Sequence, residues 1–152
     1  MESNNIHEIE NSQIISVSKV LYTGKVLTTG GRDGKAKSND GKLDIELTSP
    51  GAQGNGTNPE QLLAAGWSAC FIGAMHLGAS KMKIVLPAGL CINTSVDLAT
   101  YNEGFLLQAY LEVHLPGMPI SEARKVVEMA HATCPYSKAT RGNINVKIDV
   151  VV

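Results

Sequence analysis

The pattern of apolar and polar positions sets out strands first. From Ile14 to Thr29 the chain is rich in β-branched residues, which predicts one or two strand segments. Gly30-Gly31-Arg32-Asp33-Gly34 is a tight turn, and Lys35 to Ser38 continues in extended form. After a second turn at Asn39-Asp40-Gly41, Leu43, Ile45 and Leu47 alternate with polar residues, as a half-buried strand requires. Together these segments predict an antiparallel meander.

Ser49 to Thr57 is a Gly-rich loop, and a well-marked helix start follows it. Asn58 can cap, Pro59 suits the first helical position, and Glu60 and Gln61 stand in the first turn; Thr57 with Glu60 also fits a capping box one residue earlier. The helix is expected from about Pro59 to about Lys81. Its middle, Leu62 to Ile72, is apolar on almost every face, the mark of a buried central helix. Leu90–Thr100 and Phe105–Leu115 then read as a long hairpin around Asn102-Glu103-Gly104. Phe105, Leu107, Ala109, Leu111, Val113 and Leu115 share one face of it. Past Pro116-Gly117-Met118-Pro119, Ser121 is expected to cap a second helix with the stripe Ala123, Val126, Val127, Ala130 and Cys134. Pro135 disfavours helical geometry at Cys134, which places that cysteine at a helix end before a mobile turn. Ile144 to Val152 is the last strand. This order predicts an α+β fold with helices packed against antiparallel sheet, a polar leader over residues 1–12 and a single domain over residues 13–152.

Composition narrows the classes of function. Apolar residues are 43% and charged residues 18% of the 152, ordinary values for a globular domain large enough to bury a core. A net charge of −1 argues against a nucleic-acid or anionic-membrane surface. The polar, acidic start is unlike a signal peptide, and no apolar stretch is expected to approach the ~20 residues of a membrane span, which excludes one, so the expected compartment is the cytoplasm. The three cysteines, Cys70, Cys91 and Cys134, are too few for a secreted disulfide framework.

Each cysteine therefore has two readings, a small buried hydrophobe or a reactive thiol. Cys70 lies in the apolar helix, where burial raises a thiol's pKa, and a nucleophile there needs a cation. Lys81 and Lys83 lie ~16 Å or more along the axis, so the cation must come from elsewhere, and Arg32 is the best candidate. From its own segment alone, Arg32 reads first as an exposed turn residue. Cys134 is either a core contact or a resolving thiol. Cys91 opens a strand with no cation or second cysteine in its local pattern and reads as structural. The spacings His131 to Cys134 and Cys70 to His76 do not resemble a zinc site, and a Cys-His acyl-transfer pair using His131 or His76 lacks an orienting third residue.

Gly30-Gly31-Arg32-Asp33-Gly34, Asn58-Pro59-Glu60-Gln61-Leu62, Ser68-Ala69-Cys70-Phe71, Ala130-His131, Cys134-Pro135-Tyr136-Ser137 and Ala139-Thr140-Arg141-Gly142-Asn143 follow one family pattern in order. Over residues 20–152 the chain resembles the bacterial organic hydroperoxide resistance proteins of the OsmC superfamily. The resemblance implies an intertwined homodimer with two central helices back to back and sheets outside. It also implies a thiol peroxidase of oxidative-stress defence, with Cys70 peroxidatic, Cys134 resolving, Arg32 stabilising the thiolate and peroxide, and Glu60 orienting Arg32. The implied partners are an organic hydroperoxide and a lipoylated protein or other dithiol reductant, and no cofactor is expected. Trp67 stands where relatives more often carry tyrosine, and the loop Gly51 to Gly56 is shorter than the usual glycine-rich version; both bear on the pocket.

Overall fold

The computed structural model describes residues 15–152, so the expected polar leader and the first residue of the first strand segment lie outside the described residues. Strands β1 (Val26–Thr29), β2 (Lys35–Ser38) and β3 (Asp44–Glu46) form the antiparallel meander. Residues 15–25 form no strand, with Leu21 and Tyr22 exposed, and only the Lys25 carbonyl joins the meander, accepting from the Asn39 N–H at 3.1 Å. A β-branched segment becomes a strand only when its backbone N–H and C=O groups find a neighbour, and among the described residues, 15–24 pair with no strand.

Helix α1 (Pro59–Met82) starts where the capping residues place it, with the Asn58 side chain accepting a hydrogen bond from the Gln61 backbone N–H at 2.9 Å. Thr57 instead bonds the Gln61 side chain, so the capping box one residue earlier does not form. Trp67, Phe71, Ala74, Met75, Gly78 and Ala79 are buried, a single helical face. Contrary to the sequence expectation, α1 is long and apolar enough to cross a membrane by length and composition alone. Its buried face accounts for only part of that apolarity, because Leu62, Ala65, Ala69, Gly73 and Leu77 are exposed.

β4 (Cys91–Tyr101) and β5 (Gly104–His114) form the long hairpin, turned by Asn102 and Glu103 at φ 50° and 38°. Leu111 and Val113, with Leu115 just beyond β5, enter the core, whereas Phe105, near the hairpin turn and beside the start of α1, is 79% exposed. Helix α2 (Ile120–Thr133) is capped by Pro119, whose carbonyl accepts from Glu122 and Ala123 N–H, so Ser121 lies inside the first turn and does not cap it. Its stripe Ala123, Val126, Val127 and Ala130 is buried.

Two expectations need correcting. Cys134 does end α2, in extended geometry (φ −60°, ψ 125°), but it is followed by a second helix, α3 (Pro135–Thr140), in place of a mobile turn. Pro135 lacks an N–H and has φ preset near helical values, so it ends one helix and opens the next. The last strand, β6 (Asn145–Val151), pairs with β5 in parallel, so the second sheet (order β4-β5-β6) is mixed and not antiparallel. The α2–α3 excursion is a crossover long enough to bring the chain back in the same direction.

Candidate active site

One chain assembles two separate clusters. The first joins α1 to the α2–α3 junction. Cys70 and Trp67 lie three residues apart on α1 and so share a face. Opposite them stand Cys134 and Ser137, also three apart, on the other side of the helix break. The Cys134 thiol lies close enough to Cys70 to bear on its titration, and both cysteines are free. Cys70 is half-buried at the edge of the core, whereas Cys134 is 0% exposed. Burial, and secondarily the Cys134 thiol, push the Cys70 thiol up, while the Tyr136 backbone N–H, donating to the sulfur, pulls it down.

Around this pair the packing is close. Trp67 donates its indole N–H to Ser137 Oγ at 3.2 Å, with both residues fully buried. Gly66 leaves room for Tyr136, whose Oη would sit 3.0 Å from a Cβ at that position. Ser68 and Thr94 share a 2.7 Å hydrogen bond that ties α1 to β4. His131 faces Phe71 at 6.5 Å between ring centroids, and burial, with the Arg141 charge, holds its pKa low.

The second cluster joins the β1–β2 turn to the start of α1. Arg32 grips Glu60 through two hydrogen bonds, Nη1 to Oε2 at 2.9 Å and Nη2 to Oε1 at 2.6 Å. The guanidinium holds the Glu60 carboxyl below the usual carboxylate range. The turn that presents Arg32 is stiff. Gly34 is obligatory, since a Cβ there would meet the Thr29 carbonyl oxygen at 1.7 Å. Asp33 accepts both the backbone N–H and the hydroxyl of Ser49 at 2.9 Å, which anchors the turn to the following loop. A groove of ≈ 280 Å³ beside the pair is walled by Leu98, Phe105, Leu106 and Leu107.

The structure thus brings Cys70 to Cys134 and Arg32 to Glu60, but it does not bring the two pairs together within a chain. Glu60 and Cys70 are ten residues apart on one continuous helix, ~15 Å along its axis. Cys91 is exposed at the start of β4, so it is not a core residue. Among the described residues no three His, Cys, Asp or Glu side chains converge as a metal site would need. The sequence reading missed Ser137 and Asp33. A buried tryptophan N–H demands an acceptor, which is the signal that could have pointed to Ser137.

The family model for OsmC-like proteins matches residues 23–149. The chain belongs to this family. Within the OsmC-like proteins it is 48% identical over 137 residues to an organic hydroperoxide resistance protein of Xanthomonas axonopodis pv. citri, covering 88% of this chain and 96% of that one. It is 40% identical over 133 residues to organic hydroperoxide resistance protein OhrB of Bacillus subtilis, covering 86% and 98%. Among solved structures, an organic hydroperoxide resistance protein from Legionella pneumophila superposes with a TM-score of 0.82 at 42% identity, over 88% of this chain and 100% of that chain. The two sheets and three helices described above are therefore the OsmC-like architecture.

Proposed function

We propose that this OsmC-like chain is a thiol peroxidase of the cytoplasm that reduces organic hydroperoxides to alcohols and so defends against oxidative stress. The observation that carries this reading is the nearness of Cys134 to Cys70, one thiol half-buried at the edge of the core and its neighbour sealed within it. The Cys70 thiolate attacks one peroxide oxygen, the O–O bond breaks, and the alkoxide leaves as alcohol after taking a proton. Cys70 is then a sulfenic acid; Cys134 condenses with it, forming the disulfide and releasing water. A dithiol, which the family resemblance suggests is lipoyl-bound, attacks the disulfide, leaves as its own cyclic disulfide and returns both thiols. The apolar groove beside Arg32 favours alkyl or aryl hydroperoxides over hydrogen peroxide, by ~0.8 kcal/mol per buried methylene.

The reading includes a homodimer. Burial raises the Cys70 thiol, and the cation that would offset this is held by Glu60 ~15 Å away along α1. Two copies of α1 packed antiparallel through the exposed face of Leu62, Ala65, Ala69 and Gly73 would bring the Arg32–Glu60 pair of one chain to Cys70 of the other. Arg32→Ala is then expected to slow iodoacetamide labelling of Cys70 near neutral pH, and peroxidase activity with it. Loss of the cation leaves the thiol at its raised value, so the labelling profile should move to higher pH. Labelling at the wild-type rate across pH 6–9 counts against this role.

The overall reaction is tested by adding cumene hydroperoxide to the reduced protein and counting free thiols. Loss of two thiols per chain, with Cys91 spared, is the expected result. A chain that merely binds apolar molecules would lose none.

A further inference from the structure

We propose that the Trp67–Ser137 hydrogen bond is a latch that holds the Cys134 segment against α1, making Trp67 and Ser137 positioning residues for closure of the Cys70–Cys134 disulfide. The inference rests on the peroxidase reading above and adds to it the residues that govern its second step.

The geometry is specific. Trp67 and Cys70 stand one helical turn apart on α1, and Ser137 and Cys134 stand opposite them in reverse order, so Trp67 meets Ser137 where Cys70 meets Cys134. The two contacts lie only ~4.5 Å apart along α1. Cys134 donates its backbone N–H to the Ala130 carbonyl at 2.8 Å and accepts from the Lys138 N–H at 3.0 Å, but these bonds run within α2 and α3 and do not tie it to α1. Among the described residues, the Trp67–Ser137 bond is the one nitrogen-to-oxygen hydrogen bond that ties α1 to α3. It is also costly to break in place, because both groups are fully buried and neither would find water. Closing a disulfide draws two sulfurs from contact to ~2.05 Å with a dihedral near ±90°, a requirement that small drifts of one segment defeat. Peroxide attack on Cys70 makes no such demand on Cys134. The latch should therefore act on the second step and leave the first alone.

Ser137→Ala removes the acceptor with little change in shape, and Trp67→Phe removes the donor but also leaves a cavity where part of the indole stood. The reduced full-length protein is mixed with one equivalent of cumene hydroperoxide, and the sulfenic acid is trapped with dimedone at successive times and counted by mass spectrometry. Of the two, Ser137→Ala is expected to consume peroxide at the wild-type rate. Both should convert sulfenic acid to disulfide about fivefold more slowly, the change expected for one lost buried hydrogen bond. Overoxidised Cys70 should accumulate in proportion. The double variant should be no slower than the slower single, because the two substitutions delete the same bond. Leu115→Ala, just past the end of β5, serves as a control that lowers stability in the core; it should close at the wild-type rate. The latch is overturned if Ser137→Ala and Trp67→Phe close as fast as wild type, if their effects add in the double variant, or if Leu115→Ala slows closure equally. A wild-type protein that never forms the disulfide overturns the peroxidase reading and the latch with it. A wild type that closes beside variants that close equally fast overturns the latch alone.

Discussion

Cys70→Ser is expected to abolish hydroperoxide turnover, leaving only the uncatalysed background, whereas Cys134→Ser is expected to consume about one equivalent of peroxide and then stall. The asymmetry follows from the different surroundings of the two thiols. Cys70 is half-buried and can meet a substrate, while Cys134 is sealed in the core against Cys70 and can react only with what forms there. A serine at position 70 offers no sulfur to accept the peroxide oxygen. A serine at position 134 leaves the first step intact but cannot form a disulfide, so the Cys70 sulfenic acid waits and is driven to sulfinic acid by excess peroxide. The measurement is peroxide consumed per chain in the first burst and in steady state, with intact mass to identify the stalled species. Full activity in both variants would sink the assignment.

The second large effect concerns which chain serves which thiol. In a split dimer, one subunit carries Glu60→Ala and the other Cys70→Ser. If Arg32 and Glu60 act across the interface, the surviving Cys70 faces an intact Glu60, and one site of two is complete. That dimer should keep about half the wild-type rate, as two independent sites of a symmetric pair predict. With both substitutions on one subunit, the only Cys70 faces the altered position 60, and activity should be poor. The reason to expect this order is the ~15 Å along α1 that separates Glu60 from its own Cys70, a gap neither side chain spans. The bidentate grip on Arg32 carries the same consequence to the cation, since Arg32 stays where Glu60 holds it. Rates are compared on purified mixed dimers under conditions without subunit exchange. A dead split dimer beside a half-active same-subunit dimer rules out the cross-subunit placement. Half activity in both would reduce Glu60 to a helix-start residue, with a contribution of ~0.3–1 kcal/mol.

Much of this protein was legible before any coordinates. The α1 start at Asn58-Pro59, the hairpin turn at Asn102-Glu103-Gly104, the buried stripe of α2 and the break at Cys134 all follow from local rules, in which a cap, a left-handed turn, a 3.6-residue period or a proline acts within a few residues of itself. Arg32, Glu60, Cys70 and Cys134 stood out from residue type, local surroundings and family pattern. Local rules could not reach what depends on a distant partner. Residues 15–24 carry strand-forming side chains yet join no strand among the described residues, because strand formation is decided by the neighbour. The parallel pairing of β6 with β5 depends on where α2 and α3 set the chain down, which no period of two records. The family pattern had already paired Cys70 with Cys134 and Arg32 with Glu60, whereas tertiary structure alone found Ser137 as the acceptor for Trp67, seventy residues away in sequence. Sequence determines which groups are present and which local geometry each prefers; packing alone sets which of them come within the 3 Å or so where hydrogen bonds and thiol chemistry begin.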